Sequence, residues 1–388
     1  MLQLFIIDLL IILIAAFIGR LLAKKYKQPM VLADLIVGLI LGSLKIIQIS
    51  ESIQNLADIG VLLLLFSTGL AVNLKELKEL SKTSTIVAML GVIVPFLLGF
   101  FASHFFGYPY LISIFIGTSL TATSIGISSQ VLNELKMVGM RIGTVIIGSA
   151  IIDDVIGIIA MGTVVGIALT GSLEIFNLIA TILLTGVFII ICMTIAIRLF
   201  QELSTSFIFS QFNNEQILLP IIIIGLIFSI IAEKIGLSLI TGAFLAGLVL
   251  GQTRLAKEAF ESVSLVGHSF FIPIFFVTMG MQFDLVSLVK KGGLFTLIII
   301  IVAIIGKIAG CSIGARICGL NNRESITVGV ATVPRAEVAL ILANIGLKYN
   351  VITPSLASTV IAMSMFTTLI TPILLNLSLN SLDKNKKT

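Results

Sequence analysis

Ile151-Ile152-Asp153-Asp154-Val155-Ile156-Gly157 sets two adjacent carboxylates in the middle of an apolar stretch running from about residue 141 to residue 169. Such a stretch exceeds the roughly 20 residues that cross a bilayer as a helix. A carboxylate at that depth costs about 2.5–3.5 kcal/mol even on the more lenient insertion scale, so each aspartate needs a partner or a task. Neighbours on a helix point about 100° apart, so the two carboxylates cannot serve one partner in the same way. One is expected to pair with a cation and the other to face water.

The rest of the chain has the same character. Its 388 residues are 58% hydrophobic and 11% charged, with a mean hydropathy of +1.19, whereas soluble domains carry about a quarter charged residues. An all-α integral membrane protein is the expected class, with about thirteen transmembrane helices. They are placed near 3–22, 29–47, 54–73, 83–105, 108–132, 141–169, 174–197, 216–233, 236–251, 262–283, 292–315, 324–347 and 354–379. The first segment has no basic residue before it, and Arg20, Lys24, Lys25 and Lys27 at its end. It reads as a retained span rather than a signal peptide. Cys192, Cys311 and Cys318 show no metal-ligand spacing and read as packing residues.

Basic residues give the orientation, because cytoplasmic loops collect them. With the N-terminus outside and the C-terminus cytoplasmic, the inner loops receive Arg20, Lys24, Lys25, Lys27, Lys75, Lys78, Lys82, Lys136, Arg141, Arg198, Arg254, Lys257, Arg316, Arg323 and the lysines after residue 383. The outer side keeps only Lys45, Lys234, Lys290, Lys291 and Lys348. Lys307 and Arg335 fall in no loop, and both are placed inside the membrane.

Three motifs recur at an offset of about 210 residues. Gly38-Leu39-Ile40-Leu41-Gly42 returns as Gly247-Leu248-Val249-Leu250-Gly251, Phe66-Ser67-Thr68-Gly69-Leu70 as Val277-Thr278-Met279-Gly280-Met281, and Thr121 as Ala331-Thr332. The chain therefore reads as a single transporter domain over 1–388, with repeat A at about 3–169, a linker helix at about 174–197 and repeat B at about 216–379. Equivalent helices are seven spans apart, an odd number, so the two six-helix repeats are inverted relative to each other. Inverted repeats mark alternating-access transporters, whose site lies near the midplane at broken helices.

Thr121-Ala122-Thr123-Ser124-Ile125-Gly126 in the fifth segment and Val333-Pro334-Arg335-Ala336-Glu337 in the twelfth stand at equivalent depth. Proline removes a backbone donor and Gly with Ser/Thr eases unwinding, so both helices are expected to open there. Freed carbonyls and the hydroxyls of Thr121, Thr123 and Ser124 would offer neutral oxygens to a small hard cation, although such hydroxyls more commonly serve helix packing. Lys307 is the expected partner of Asp153. Asp154 is the candidate cation ligand. Arg335 and Glu337 either support the site or neutralise one another. Asp34, a turn inside the second segment, is a weaker candidate of no assigned role.

Through Thr121 to Gly126, the Asp153-Asp154 pair, Gly306-Lys307 and Pro334-Arg335-Ala336-Glu337-Val338-Ala339-Leu340, the chain resembles sodium/proton antiporters of the monovalent cation:proton antiporter superfamily, closest to the NapA-like branch. The resemblance covers essentially the whole chain. It implies crossed discontinuous helices in a core that moves against a dimerisation domain, a homodimer in the cell membrane, and Na⁺ and H⁺ (with Li⁺ as a further candidate) as transported ions. It implies Asp154 as the ion and proton carrier, Asp153 as the partner of Lys307, and Thr123 in the crossing region. Many relatives carry an acidic residue shortly after the glycine of Phe66-Ser67-Thr68-Gly69-Leu70, where this chain has Ala71, Val72 and Asn73. The sequence given stops at Thr388 with no nucleotide-binding regulatory domain, which argues against ligand-gated potassium efflux.

The functional expectation is secondary active Na⁺/H⁺ antiport, electrogenic through Lys307. K⁺/H⁺ antiport or sodium-coupled symport on the same fold is the alternative. An intramembrane aspartyl protease, which needs its two aspartates on facing helices, is disfavoured by their adjacency. No phosphate-cradling glycine loop is present, so the chain is expected to be no enzyme, to need no cofactor or nucleotide, and to bind no nucleic acid.

Overall fold

The computed structural model describes residues 2–26, 28–170, 175–204, 217–283, 293–335, 339, 342–343, 346–347 and 351–383. Among these, every regular element is a helix: α1 (Leu2–Tyr26), α2 (Met30–Ser43), α3 (Glu51–Ala71), α4 (Leu74–Glu79), α5 (Ser81–Phe105), α6 (Tyr110–Ser119), α7 (Ile125–Glu134), α8 (Arg141–Thr170), α9 (Ile175–Ile191), α10 (Ile197–Ser204), α11 (Leu218–Lys234), α12 (Leu239–Leu250), α13 (Ala256–Val266), α14 (Ile272–Met281), α15 (Leu294–Ile317), α16 (Asn322–Ala331) and α17 (Pro354–Asp383). Single π turns, Cys192–Ala196 and Gly267–Phe271, join α9 to α10 and α13 to α14. Helical residues fall in each of the thirteen predicted segments. Among the described residues, seven helical stretches are long and apolar enough to cross a membrane, and α2, α6 and α12 are shorter apolar helices. Isoleucines and leucines crowd the exposed outer faces of α1, α5, α11 and α15, as lipid-facing surfaces require.

The helices form two bundles. α5, α6, α8, α15, α16 and α17 pack chiefly on one another, and so do α1, α2, α3, α11, α12, α13 and α14; α7 belongs to the first group but also touches α2 and α3. The second group, called the scaffold below, is built on backbone-to-backbone crossings. Gly38 of α2 lies against Val277 O and Gly280 against Leu35 O, while Gly69 of α3 lies against Phe244 O and Gly247 against Phe66 O. A Cβ at any of the four would sit inside contact distance of backbone. Small residues permit this close approach in membrane bundles. Each copy of one recurring motif thus packs on the other motif's partner copy.

In the first bundle α15 lies along α5 through Gly306, Gly310 and Gly314, which meet Pro95, Leu90 and Val87. This fixes Lys307 in the seam, where a side chain at Gly91 would come within 3.7 Å of its Nζ.

Candidate functional site

The fifth and twelfth segments are both interrupted. α6 ends at Ser119, whose hydroxyl donates back to Ile116 O, and Thr121 Oγ1 donates to Thr118 O at 2.8 Å. The chain is extended at Ser124 before α7 begins. Opposite, α16 ends at Ala331, and Thr332, Val333, Pro334 and Arg335 leave the helix. The two breaks satisfy one another: Ser124 N donates to Pro334 O at 2.8 Å, Thr123 Oγ1 to Thr332 O at 3.4 Å, and Ser128 Oγ to Ala331 O. Non-helical backbone is tolerated at membrane depth only where its polar groups are paired in this way or reach water.

Two cations bind the crossing together. Lys307, 1% exposed, donates to both Asp153 oxygens at 3.2 and 3.1 Å and to Thr121 O at 2.7 Å. All three of its donors are thereby used. Arg335, completely buried, donates to Ala122 O and, at 3.5 Å, to Ala303 O. These carbonyls lie at or beyond the C-terminal end of a half-helix or in α15, and the end of a helix is where cations are favoured.

Asp154 points elsewhere. It is partly exposed, and its Oδ2 accepts a hydrogen bond from Thr241 Oγ1 at 2.8 Å. Thr241 belongs to α12 of the scaffold, so the adjacent carboxylates serve different bundles, as their angular separation on α8 requires. Further polar contacts bridge the bundles: Asn133 Nδ2 donates to Thr68 Oγ1 at 3.2 Å, and Met30 N donates to Glu134 Oε2 at 2.9 Å. A cavity of about 550 Å³ opens beside them, lined by Arg20, Gln130, Asn133, Glu134, Lys136 and His268 among others.

The sequence model of the family described as "Sodium/hydrogen exchanger, transmembrane" matches residues 12–380. The chain belongs to the sodium/hydrogen exchanger family. It is 32% identical over 373 residues to the Na(+)/H(+) antiporter of Enterococcus hirae, covering 96% of this chain and 97% of that one. It is 31% identical over 392 residues to the Na(+)/H(+)-K(+) antiporter GerN of Bacillus cereus, covering 99% and 98%. In fold it is similar to the sodium proton antiporter MjNhaP1 from Methanocaldococcus jannaschii, with a TM-score of 0.73, 18% identity and coverage of 96% and 95%.

Within this exchanger fold the structure brings Asp153, Lys307, Thr121, Thr123, Ser124 and Arg335 to one crossing, while Asp154, next along α8, meets Thr241 of the scaffold. Glu337 lies outside the described residues, and the described partners of Arg335 are main-chain carbonyls. Thr121 meets Lys307 through its carbonyl; its hydroxyl and that of Thr123 donate to backbone. Arg20, near the end of the first predicted segment, lies within α1, which continues to Tyr26, and it pairs with fully buried Asp34 at 2.7 Å. Its NH1 also donates to His268 O at 3.0 Å. That carbonyl is open because Ile272 N bonds Gly267 O in the π turn and Pro273, next in line, has no N–H. Thr241 was missed altogether, since a lone threonine on an apolar helix carries no charge, motif or spacing to mark it.

Proposed function

We propose that the chain is a Na⁺/H⁺ antiporter of the cell membrane, working by alternating access, in which Asp154 binds the cation or the proton in competition. The observation that carries this is the division of the aspartate pair: Asp153 is locked to Lys307 inside the bundle, while Asp154 is left partly exposed at the edge facing the scaffold. One carboxylate that holds either ion, but not both, gives exchange without another coupling device. The crossing supplies the surroundings, with backbone oxygens and the buried Lys307 that pairs with Asp153.

Side-chain polar contacts between the bundles, against backbone seams inside each, support movement of one bundle past the other. The cavity beside Glu134 supports an aqueous route to that interface. Thirteen spans in two inverted six-helix repeats, an external N-terminus and a homodimer complete the reading. The divergence of the two carboxylates toward Lys307 and Thr241 disfavours a protease, which would need them to share one water.

Exchange of Na⁺ against protons in proteoliposomes, followed with a pH dye, tests the assignment. Asp154→Asn is expected to abolish Na⁺-driven proton movement; near-normal exchange by this variant would overturn it. GerN's printed name includes K⁺, so the same vesicles are challenged with Li⁺ and K⁺. Proton movement driven by K⁺ as strongly as by Na⁺ would assign the alternative, K⁺/H⁺ exchange.

A further inference from the structure

Resting on the reading of Asp154 as the carrier, we infer that Thr241 is a positioning residue of the ion site, contributed by the opposite bundle, whose hydroxyl sets the affinity for Na⁺. Thr241 is 3% exposed and lies in the first turn of α12. Ser238 precedes that helix in extended conformation as its N-cap, and Ser238 Oγ accepts Thr241 N at 3.1 Å. The two hydroxyl oxygens are 2.7 Å apart, and Thr241 Oγ1 is 2.8 Å from Asp154 Oδ2.

A hydroxyl has one proton to give, and an ionised carboxylate can only accept. The Thr241 proton therefore goes to Asp154, and the Ser238 proton goes to Thr241. The helix cap thereby orients the serine, the serine orients the threonine, and the threonine holds one carboxylate oxygen in its charged form. One lone pair on Thr241 Oγ1 remains for a cation seated at Asp154. Because Thr241 stands on the scaffold, the site is complete only while the two bundles meet as they do here. Sliding the first bundle would remove this donor and loosen the ion.

The experiment compares full-length wild type, Thr241→Val, Thr241→Ser and Asp154→Asn in proteoliposomes at one fixed pH, measuring initial exchange rates against Na⁺ concentration. Valine keeps the branched shape and removes the hydroxyl; serine keeps the hydroxyl. Thr241→Val is expected to raise the Na⁺ KM about tenfold, the equilibrium equivalent of one charge-assisted hydrogen bond, with a maximal rate within about twofold of wild type. Thr241→Ser is expected to restore the wild-type KM. If Asp154→Asn is inactive while Thr241→Val keeps the wild-type KM, the role given to Thr241 is wrong and the carrier assignment stands. If Thr241→Ser is as impaired as Thr241→Val, packing and not the hydroxyl is at work, and the inference falls. Full activity in Asp154→Asn would overturn the carrier reading and this inference with it.

Discussion

Lys307 is held by three acceptors, of which Asp153 supplies two. Removing one member of a buried ion pair strands the other, at roughly 3–5 kcal/mol, while removing both costs far less. Asp153→Asn and Lys307→Met are therefore each expected to lower the melting temperature of the detergent-solubilised protein markedly, and the double variant to regain much of the loss. Additive single effects would show that the two groups do not interact. The pair was legible in the sequence because ionisable residues are so rare in these segments that Asp153 had few conceivable partners. The pairing of Arg20 with Asp34 was not legible, because Arg20 stands near a helix end among lysines and read as a topology signal. Thr241 was invisible because hydroxyls are common in membrane helices, where their usual role is back-bonding or packing.

Element by element, helix existence followed from hydropathy and the breaks from local chemistry. Thr121 to Ser124 and Pro334 mark the interruptions in α6–α7 and after α16, since each resists continued helical bonding. What periodicity could not supply was which helices cross at backbone distance. Gly247 of α12 abuts Phe66 O and Leu70 N of α3, where neither neighbour can yield without moving a helix. Gly247→Ala is expected to force the crossing apart and lower thermal stability by about 2 kcal/mol or more, in the range of an overpacked core. Gly186→Ala, in α9 with no atom of the described residues within 4 Å of the added methyl, is the control. It is expected to be neutral or to gain up to about 1 kcal/mol from helix propensity. A fluorescence melt of both variants checks the contrast, and equal stability would show that the seam tolerates the methyl.

For the whole molecule the decisive property is how transport senses voltage. A single carboxylate trading Na⁺ for one proton moves no net charge. We propose that a cation seated at Asp154 draws Asp153 toward it and frees Lys307 to give a proton to water, and that the returning carrier takes two protons, one on Asp154 and one on Lys307. On that proposal one net charge per cycle would couple exchange to the membrane potential at about 2.3 kcal/mol per 100 mV. With equal Na⁺ and equal pH on both sides, a potassium diffusion potential set by valinomycin is expected to drive Na⁺ and proton flux in opposite directions. If no flux follows while a pH gradient still drives exchange, the process is electroneutral and Lys307 stays protonated throughout.

The glycine crossings of the scaffold bear on how such a machine responds to heat. A seam of main chain against main chain contains no rotamers, so warming gives it little new freedom, whereas the hydroxyl, amide and carboxylate contacts between the bundles all have torsions to gain. On the proposed movement of one bundle past the other, softening would fall first on the contact between the bundles, and the glycine crossings would stay rigid at temperatures where that contact is already easier to break.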